Sequence, residues 1–126
     1  MTPTEKPKIL LIDDDQFIVE MYALKFRESG FEIETAEDAK TGLKKIKEFG
    51  PDLVLLDIVM PTVDGLEALL EIKKGDGQKP KVILLTNLGQ KENVEKGMSL
   101  GADGYIIKAN FTPSEVVEKV KSLLKK

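Results

Sequence analysis

The chain contains no histidine and no cysteine in its 126 residues. Without histidine, Ser-His and Cys-His catalysis, histidine metal sites and a phosphohistidine within this chain are all excluded. Without cysteine there is no disulfide framework and no thiol chemistry, which is compatible with a reducing cytosol. We therefore expect a cytoplasmic protein whose chemistry depends on oxygen and amine side chains.

Long apolar runs and charge of one sign are also missing. No apolar run approaches the ~20 residues that a membrane helix needs, and residues 1–6 lack the apolar stretch of a signal peptide. Acids and bases are interspersed, with a net charge of -3, so we expect neither a membrane nor a nucleic-acid partner. Residues 1–7, with two prolines, are expected to form a flexible leader, and residues 8–126 a single domain.

The remaining sequence alternates between predicted strands and helices. Leu53 to Leu56 are four consecutive apolar residues, which predicts a strand buried on both faces, and Pro61 prevents the strand from continuing. The same reasoning predicts an α/β fold with a parallel sheet, five strands and five helices. The predicted strands are 8–13, 31–36, 52–57, 81–86 and 103–108, and the helices begin near residues 16, 38, 66, 90 and 112. The helical spacing of the first helix predicts a buried face that includes Tyr22 and Phe26.

Reactive side chains occur where the predicted strands end. Asp13 and Asp14 follow the first strand, Asp57 ends the third, Thr86 the fourth and Lys108 the fifth. Ligands of open parallel sheets bind outside the carboxyl ends of the strands. If the strand order is 2-1-3-4-5, the first and third strands are neighbours and these groups meet. Clustered carboxylates need a cation, and hard oxygen ligands favour Mg2+. We interpret Asp57 as a nucleophile that accepts a phosphoryl group.

Several segments of this sequence resemble the receiver domain of two-component response regulators. The resemblance implies a flavodoxin-like, doubly wound five-stranded parallel sheet in the order 2-1-3-4-5. This order is typical of the family and does not follow from the residues themselves. The segments that carry the resemblance are Ile12–Asp14, Leu55–Pro61 with Asp64–Gly65, Leu85–Thr86 and Tyr105–Lys108.

The resemblance also implies roles for individual residues. Asp57 is the expected phosphoacceptor, and the phosphoryl donor is a histidine kinase or a histidine phosphotransfer protein. Phosphorylation would alter the face formed by the fourth helix, fifth strand and fifth helix, and so affect an output protein or effector domain. The other expected roles are Mg2+ ligation by Asp14, Asp57, the Val59 carbonyl and, through water, Asp13; phosphoryl contact by Lys108; and switching by Thr86 and Tyr105.

Two positions depart from the family pattern. Asn87 stands where a small residue usually follows the threonine, and its side chain is expected to affect the entrance to the phosphoryl site. Ala109 stands where proline in a cis bond usually follows the lysine. Because a cis bond before a non-proline residue costs about 2.5–4 kcal/mol, we expect a trans bond between Lys108 and Ala109.

Three alternatives remain at this point. A receiver-like docking module would keep the fold and carry no phosphate. An Asp-nucleophile phosphohydrolase commonly has a second Asp two residues after the nucleophile, where this chain has Val59. A flavodoxin-like nucleotide binder would have to hold phosphate in the first strand-helix loop, where Asp13, Asp14 and Asp15 would repel it.

The weak helix predicted at residues 90–100 is compatible with marginal packing and with a mobile, partner-facing element.

Overall fold

A computed structural model describes residues 6–58, 65–74, 79–87 and 89–125. Its five strands are all parallel, in the order β2-β1-β3-β4-β5, which confirms the predicted topology. Most of the expected leader and of the loop before Gly65 lies outside the described residues. The elements are β1 (Lys8–Ile12), α1 (Gln16–Glu28), β2 (Glu32–Ala36), α2 (Ala39–Phe49), β3 (Leu53–Asp57), α3 (Gly65–Lys74), β4 (Lys81–Thr86), α4 (Lys91–Ser99), β5 (Gly104–Ile107), a 3-10 turn (Lys108–Asn110) and α5 (Pro113–Leu124).

Helices cover both faces of the sheet. Strand β3 alternates between two hydrophobic clusters, with Leu53 and Leu55 in one and Val54 and Leu56 in the other. The first cluster includes side chains of α1 and α5, and the second includes side chains of α2 and α3. This explains the continuous apolar runs, since both sides of each central strand are covered. None of the described helices has the length and apolar character needed to cross a membrane.

Local capping sets where several helices begin and end. The Asp15 carboxylate accepts hydrogen bonds from the N–H groups of Phe17 and Ile18 at the start of α1. Thr112 and Glu115 form a complete capping box at the start of α5, which satisfies N–H groups that have no partner within the helix. Gly30, which follows the C-terminal cap residue of α1, has φ +90°, a conformation that glycine adopts without a steric penalty.

Helix α4 has few features that anchor it to the rest of the domain. Its N-cap residue, Gln90, makes no side-chain hydrogen bond to the helix, and Gly97 is the buried residue of the helix. A Cβ at position 97 would collide with the Leu84 side chain, so glycine allows α4 to pack close to β4. The predicted weak helix is therefore present, and both interpretations of its weakness stay open.

Gly65 permits a close contact between α3 and the end of β3. Its N–H donates to the Ile58 carbonyl at 3.0 Å. A Cβ at this position would collide with the Asp57 carbonyl oxygen and stand 2.7 Å from the Ile58 Cα. Because these are backbone atoms, they cannot rotate away as the end of a side chain can. The start of α3 is thus fixed against the strand that carries Asp57.

Gly65→Ala is expected to lower the free energy of unfolding by about 1–3 kcal/mol, the usual range for overpacking. Urea denaturation of the two proteins measures the difference. Gly104→Ala is the matched control and should change the free energy of unfolding much less, because the nearest atom to its Cβ would be the end of the Ile83 side chain, 3.3 Å away. A Gly65→Ala variant as stable as the wild type would contradict this interpretation.

Candidate functional site

Three carboxylates meet at the carboxyl ends of the central strands. Because Ile12 is paired with Leu56, the next residues, Asp13 and Asp57, lie side by side at the carboxyl ends of β1 and β3. Ligand oxygens of Asp13, Asp14 and Asp57 all lie within 4.8 Å of one another. Asp13 and Asp57 are buried, and Asp14 is exposed to solvent. The arrangement is open to water on one side and packed on the other.

Lys108 extends from the end of β5 into this cluster. Its Nζ lies 2.8 Å from Asp13 Oδ2 and 3.7 Å from Asp57 Oδ2. Burial lowers the pKa of Lys108, but the hydrogen bond and charge of Asp13, together with the charge of Asp57, outweigh this effect and raise the pKa above its usual value. The side chain therefore stays cationic at neutral pH. In this structure its shorter contact is with Asp13 and not with Asp57.

Tyr22 is a neighbour of the site that the sequence analysis assigned only to the buried face of a helix. Burial raises the pKa of the Tyr22 hydroxyl, the Lys108 cation opposes this shift, and the Asp13 charge adds to it. The net effect is a raised pKa, so the phenol stays protonated at neutral pH. The helical spacing predicted a buried position for Tyr22 but gave no sign that its hydroxyl lies near charged groups.

Thr86 ends β4, next to the strand that carries Asp57. Its side chain is buried, and its hydroxyl donates to Gln90 Oε1 at 2.7 Å and lies 3.2 Å from the Asn87 carbonyl oxygen. Gln90 was not among the predicted site residues. No sequence pattern indicates that it contacts Thr86, because the contact depends on the path of the backbone between β4 and α4.

Tyr105 lies on β5 with 46% of its surface exposed. It borders a groove of about 460 Å³ between β5 and α4, which also reaches Thr86 and Gln90. The groove is mainly apolar and is lined by Val94, Met98 and Ile107 among others. The two residues predicted to act as a switch therefore border the same groove.

The remaining predicted positions differ in what can be said of them. Val59 lies outside the described residues. Asn87 is exposed, and its backbone N–H donates to Gln90 Oε1 at 3.1 Å. The bond between Lys108 and Ala109 is trans, as predicted, since the described part of the chain has no cis peptide bond.

The carboxylate cluster suits a small divalent cation. Every candidate ligand is a hard oxygen, the ligand type that Mg2+ prefers, and these oxygens lie within 4.8 Å of one another. Like charges this close repel one another, and a bound cation relieves that repulsion. Asp13, Asp14 and Asp57 are thus the residues that fit a metal ion.

Comparison with known proteins adds an independent line of evidence. Residues 9–121 match the family described as the response regulator receiver domain. The chain is 39% identical over 120 residues to the chemotaxis protein CheY of Halobacterium salinarum, covering 93% of this chain and 96% of that protein. It is 34% identical to the alkaline phosphatase synthesis transcriptional regulatory protein PhoP of Bacillus subtilis, covering 94% of this chain and 49% of that protein.

A solved structure shows the same fold. The crystal structure of a CheY-like response regulator receiver domain protein from Methanospirillum hungatei superposes with a TM-score of 0.86 at 34% identity. The match covers 96% of this chain and 95% of that one. The chain therefore spans nearly all of some relatives and about half of regulators such as PhoP.

Proposed function

The chain belongs to the response regulator receiver domain family, and on that basis we propose that Asp57 accepts a phosphoryl group in a reaction that requires Mg2+. The family consists of signalling modules of two-component systems. The observation that carries the proposal is the position of Asp57, which clusters with two further carboxylates and whose Oδ2 lies 3.7 Å from Lys108 Nζ.

The proposed reaction transfers the phosphoryl group from a phosphohistidine on another protein. An Asp57 carboxylate oxygen forms the new bond to phosphorus while the bond from phosphorus to the histidine nitrogen breaks. The histidine nitrogen keeps the electron pair and the ring, which carries a proton on its other nitrogen, leaves as neutral imidazole, while Asp57 becomes an acyl phosphate. Lys108 contacts the phosphoryl oxygens and offsets the negative charge that accumulates during transfer.

The acidic cluster would hold the metal ion. Asp14 and Asp57 are the proposed direct ligands, Asp13 acts through a bound water, and the Val59 carbonyl is the proposed third protein ligand. When bound, Mg2+ supplies positive charge next to the phosphoryl oxygens. The Lys108 side chain is held at Asp13 by a contact of 2.8 Å, so its ammonium group is already near the site before the phosphoryl group arrives.

Thr86 and Tyr105 would transmit the effect of phosphorylation from Asp57 to the surface of the domain. The acyl phosphate carries about -1.5 to -2 charges in place of the single charge of the carboxylate, and the Thr86 hydroxyl turns to donate a hydrogen bond to it. Tyr105, now 46% exposed, then turns inward beside Thr86. The face formed by α4, β5 and α5 changes its affinity for an output protein or effector domain. This is a shift between two packings, one of which contacts the phosphoryl group better.

Phosphoryl uptake is the direct test of this function. Incubation with Mg2+ and a small acyl-phosphate donor is expected to add one phosphoryl group to the protein, measured by intact mass, and EDTA is expected to prevent the addition because it removes the metal. A protein that gains no mass under these conditions would support the alternative, a receiver-like docking module that carries no phosphate.

Tyrosine quenching tests the switch. The chain has two tyrosines and no tryptophan, and Tyr22 is only 2% exposed, so acrylamide quenching reports mainly on Tyr105. We expect quenching to fall when Mg2+ and beryllofluoride, an analogue of the bound phosphoryl group, are added. Tyr105→Phe is the control and should be poorly quenched in both states. Unchanged quenching in the wild type would contradict the inward movement.

A further inference from the structure

The Thr86 hydroxyl already has a well-defined acceptor. Gln90 Oε1 lies 2.7 Å from Thr86 Oγ1 and 3.1 Å from the Asn87 backbone nitrogen. Because a backbone N–H can only donate, the amide atom that faces Asn87 must be the oxygen. The amide orientation is thereby fixed, and the Thr86 hydroxyl donates its single proton to Gln90 at 2.7 Å, a shorter contact than its 3.2 Å distance to the Asn87 carbonyl oxygen.

The Gln90 side chain is directed away from the helix that it precedes. Gln90 is the N-cap residue of α4 but makes no side-chain hydrogen bond to that helix. Its amide instead returns to the end of β4, and Gly89, with φ +85°, precedes it in the connecting loop. Thr86 is 1% exposed, so water cannot readily replace Gln90 as its partner.

We propose that Gln90 is a positioning residue that holds Thr86 in the resting state and so opposes activation at Asp57. This inference rests on the proposed function. One hydroxyl proton can be donated to Gln90 or to a phosphoryl group on Asp57, but not to both. The Thr86–Gln90 bond therefore stabilises only the resting packing, and its loss shifts the population toward the switched packing.

Beryllofluoride affinity measures this effect. Isothermal titration in the presence of Mg2+ compares the wild type with Gln90→Met, which keeps the side-chain length and removes the acceptor. Since one neutral hydrogen bond has a modest net worth, we expect binding that is about two- to tenfold tighter. Gln90→Ala should show the same direction, which guards against a packing effect peculiar to methionine. Glu92→Ala, an exposed change on the same helix, should leave the affinity unchanged.

A Thr86→Ala background separates positioning from a general effect on α4. In that background there is no hydroxyl to release, so Gln90→Met should leave beryllofluoride affinity unchanged. An equal gain with and without Thr86, or no gain in either background, overturns the inference while leaving the proposed function intact. A wild-type protein that binds no beryllofluoride with Mg2+ overturns both.

Discussion

Asp57→Asn is expected to fold normally and to take up no phosphoryl group from an acyl-phosphate donor and Mg2+. The amide has the shape of the carboxylate but lacks its charge and nucleophilic oxygen. Since Asp57 is one of three clustered carboxylates, the substitution also removes like-charge repulsion. We therefore expect the free energy of unfolding to stay the same or rise while intact-mass analysis shows no phosphorylated species.

The matched control is a second aspartate, which lies at the opposite end of the same strand, β3. Asp52, just before β3, accepts a hydrogen bond from the Lys8 backbone N–H at 2.8 Å, and it stands at the sheet edge opposite the site. Asp52→Asn makes the same chemical change there and should leave phosphoryl uptake intact. Uptake by Asp57→Asn equal to that of the wild type would remove the basis for the proposed mechanism.

Lys108→Met is expected to slow phosphoryl uptake by about 100-fold, the loss typical of removing one group that stabilises developing charge. Methionine has a similar length and no charge, so the phosphoryl oxygens would lose their protein cation. The change also leaves the buried Asp13 without its 2.8 Å partner. Breaking such a pair is expected to cost about 3 kcal/mol of unfolding free energy. Uptake kinetics and urea denaturation measure the two effects separately.

A double variant separates the charge effect on the reaction from the effect on stability. Adding Asp13→Asn to Lys108→Met removes the uncompensated carboxylate, so stability should recover. Because Asp13 also belongs to the proposed metal site, uptake is compared with that of Asp13→Asn alone and should be slower in the double variant. Lys121→Met is the control for loss of one cation, because Lys121 lies on the surface of α5 and pairs with Glu118 at 3.2 Å. Uptake at the wild-type rate by Lys108→Met would exclude Lys108 from the reaction.

The pattern of apolar runs was sufficient to predict an α/β fold with a five-stranded parallel sheet. Parallel strands buried on both faces have no polar alternation, so the run from Leu53 to Leu56 could be identified as a central strand. Side chains at the carboxyl ends of such strands lie along one end of the sheet, but predicting that Asp13, Asp57 and Lys108 meet also required the strand order. Strand order came from the family resemblance, because local patterns do not specify which strands are neighbours.

The details of contact at the site could not be predicted in this way. The sequence places Lys108 at a strand end, but its 2.8 Å contact with Asp13 depends on the side-chain conformation and the twist of the sheet. Gln90 reaches Thr86 through the course of a loop, which no periodicity encodes. The exposure of Tyr105 likewise depends on its side-chain conformation, which the sequence pattern does not specify.

Locating the phosphoryl group within the chain tests the central claim most directly. After incubation with Mg2+ and an acyl-phosphate donor, borohydride reduction converts an aspartyl phosphate to homoserine, and peptide mass spectrometry identifies the position. The account predicts homoserine in place of Asp57 and nowhere else. Homoserine in place of Asp13 or Asp14, or no homoserine in a protein that has gained a phosphoryl group, would contradict it.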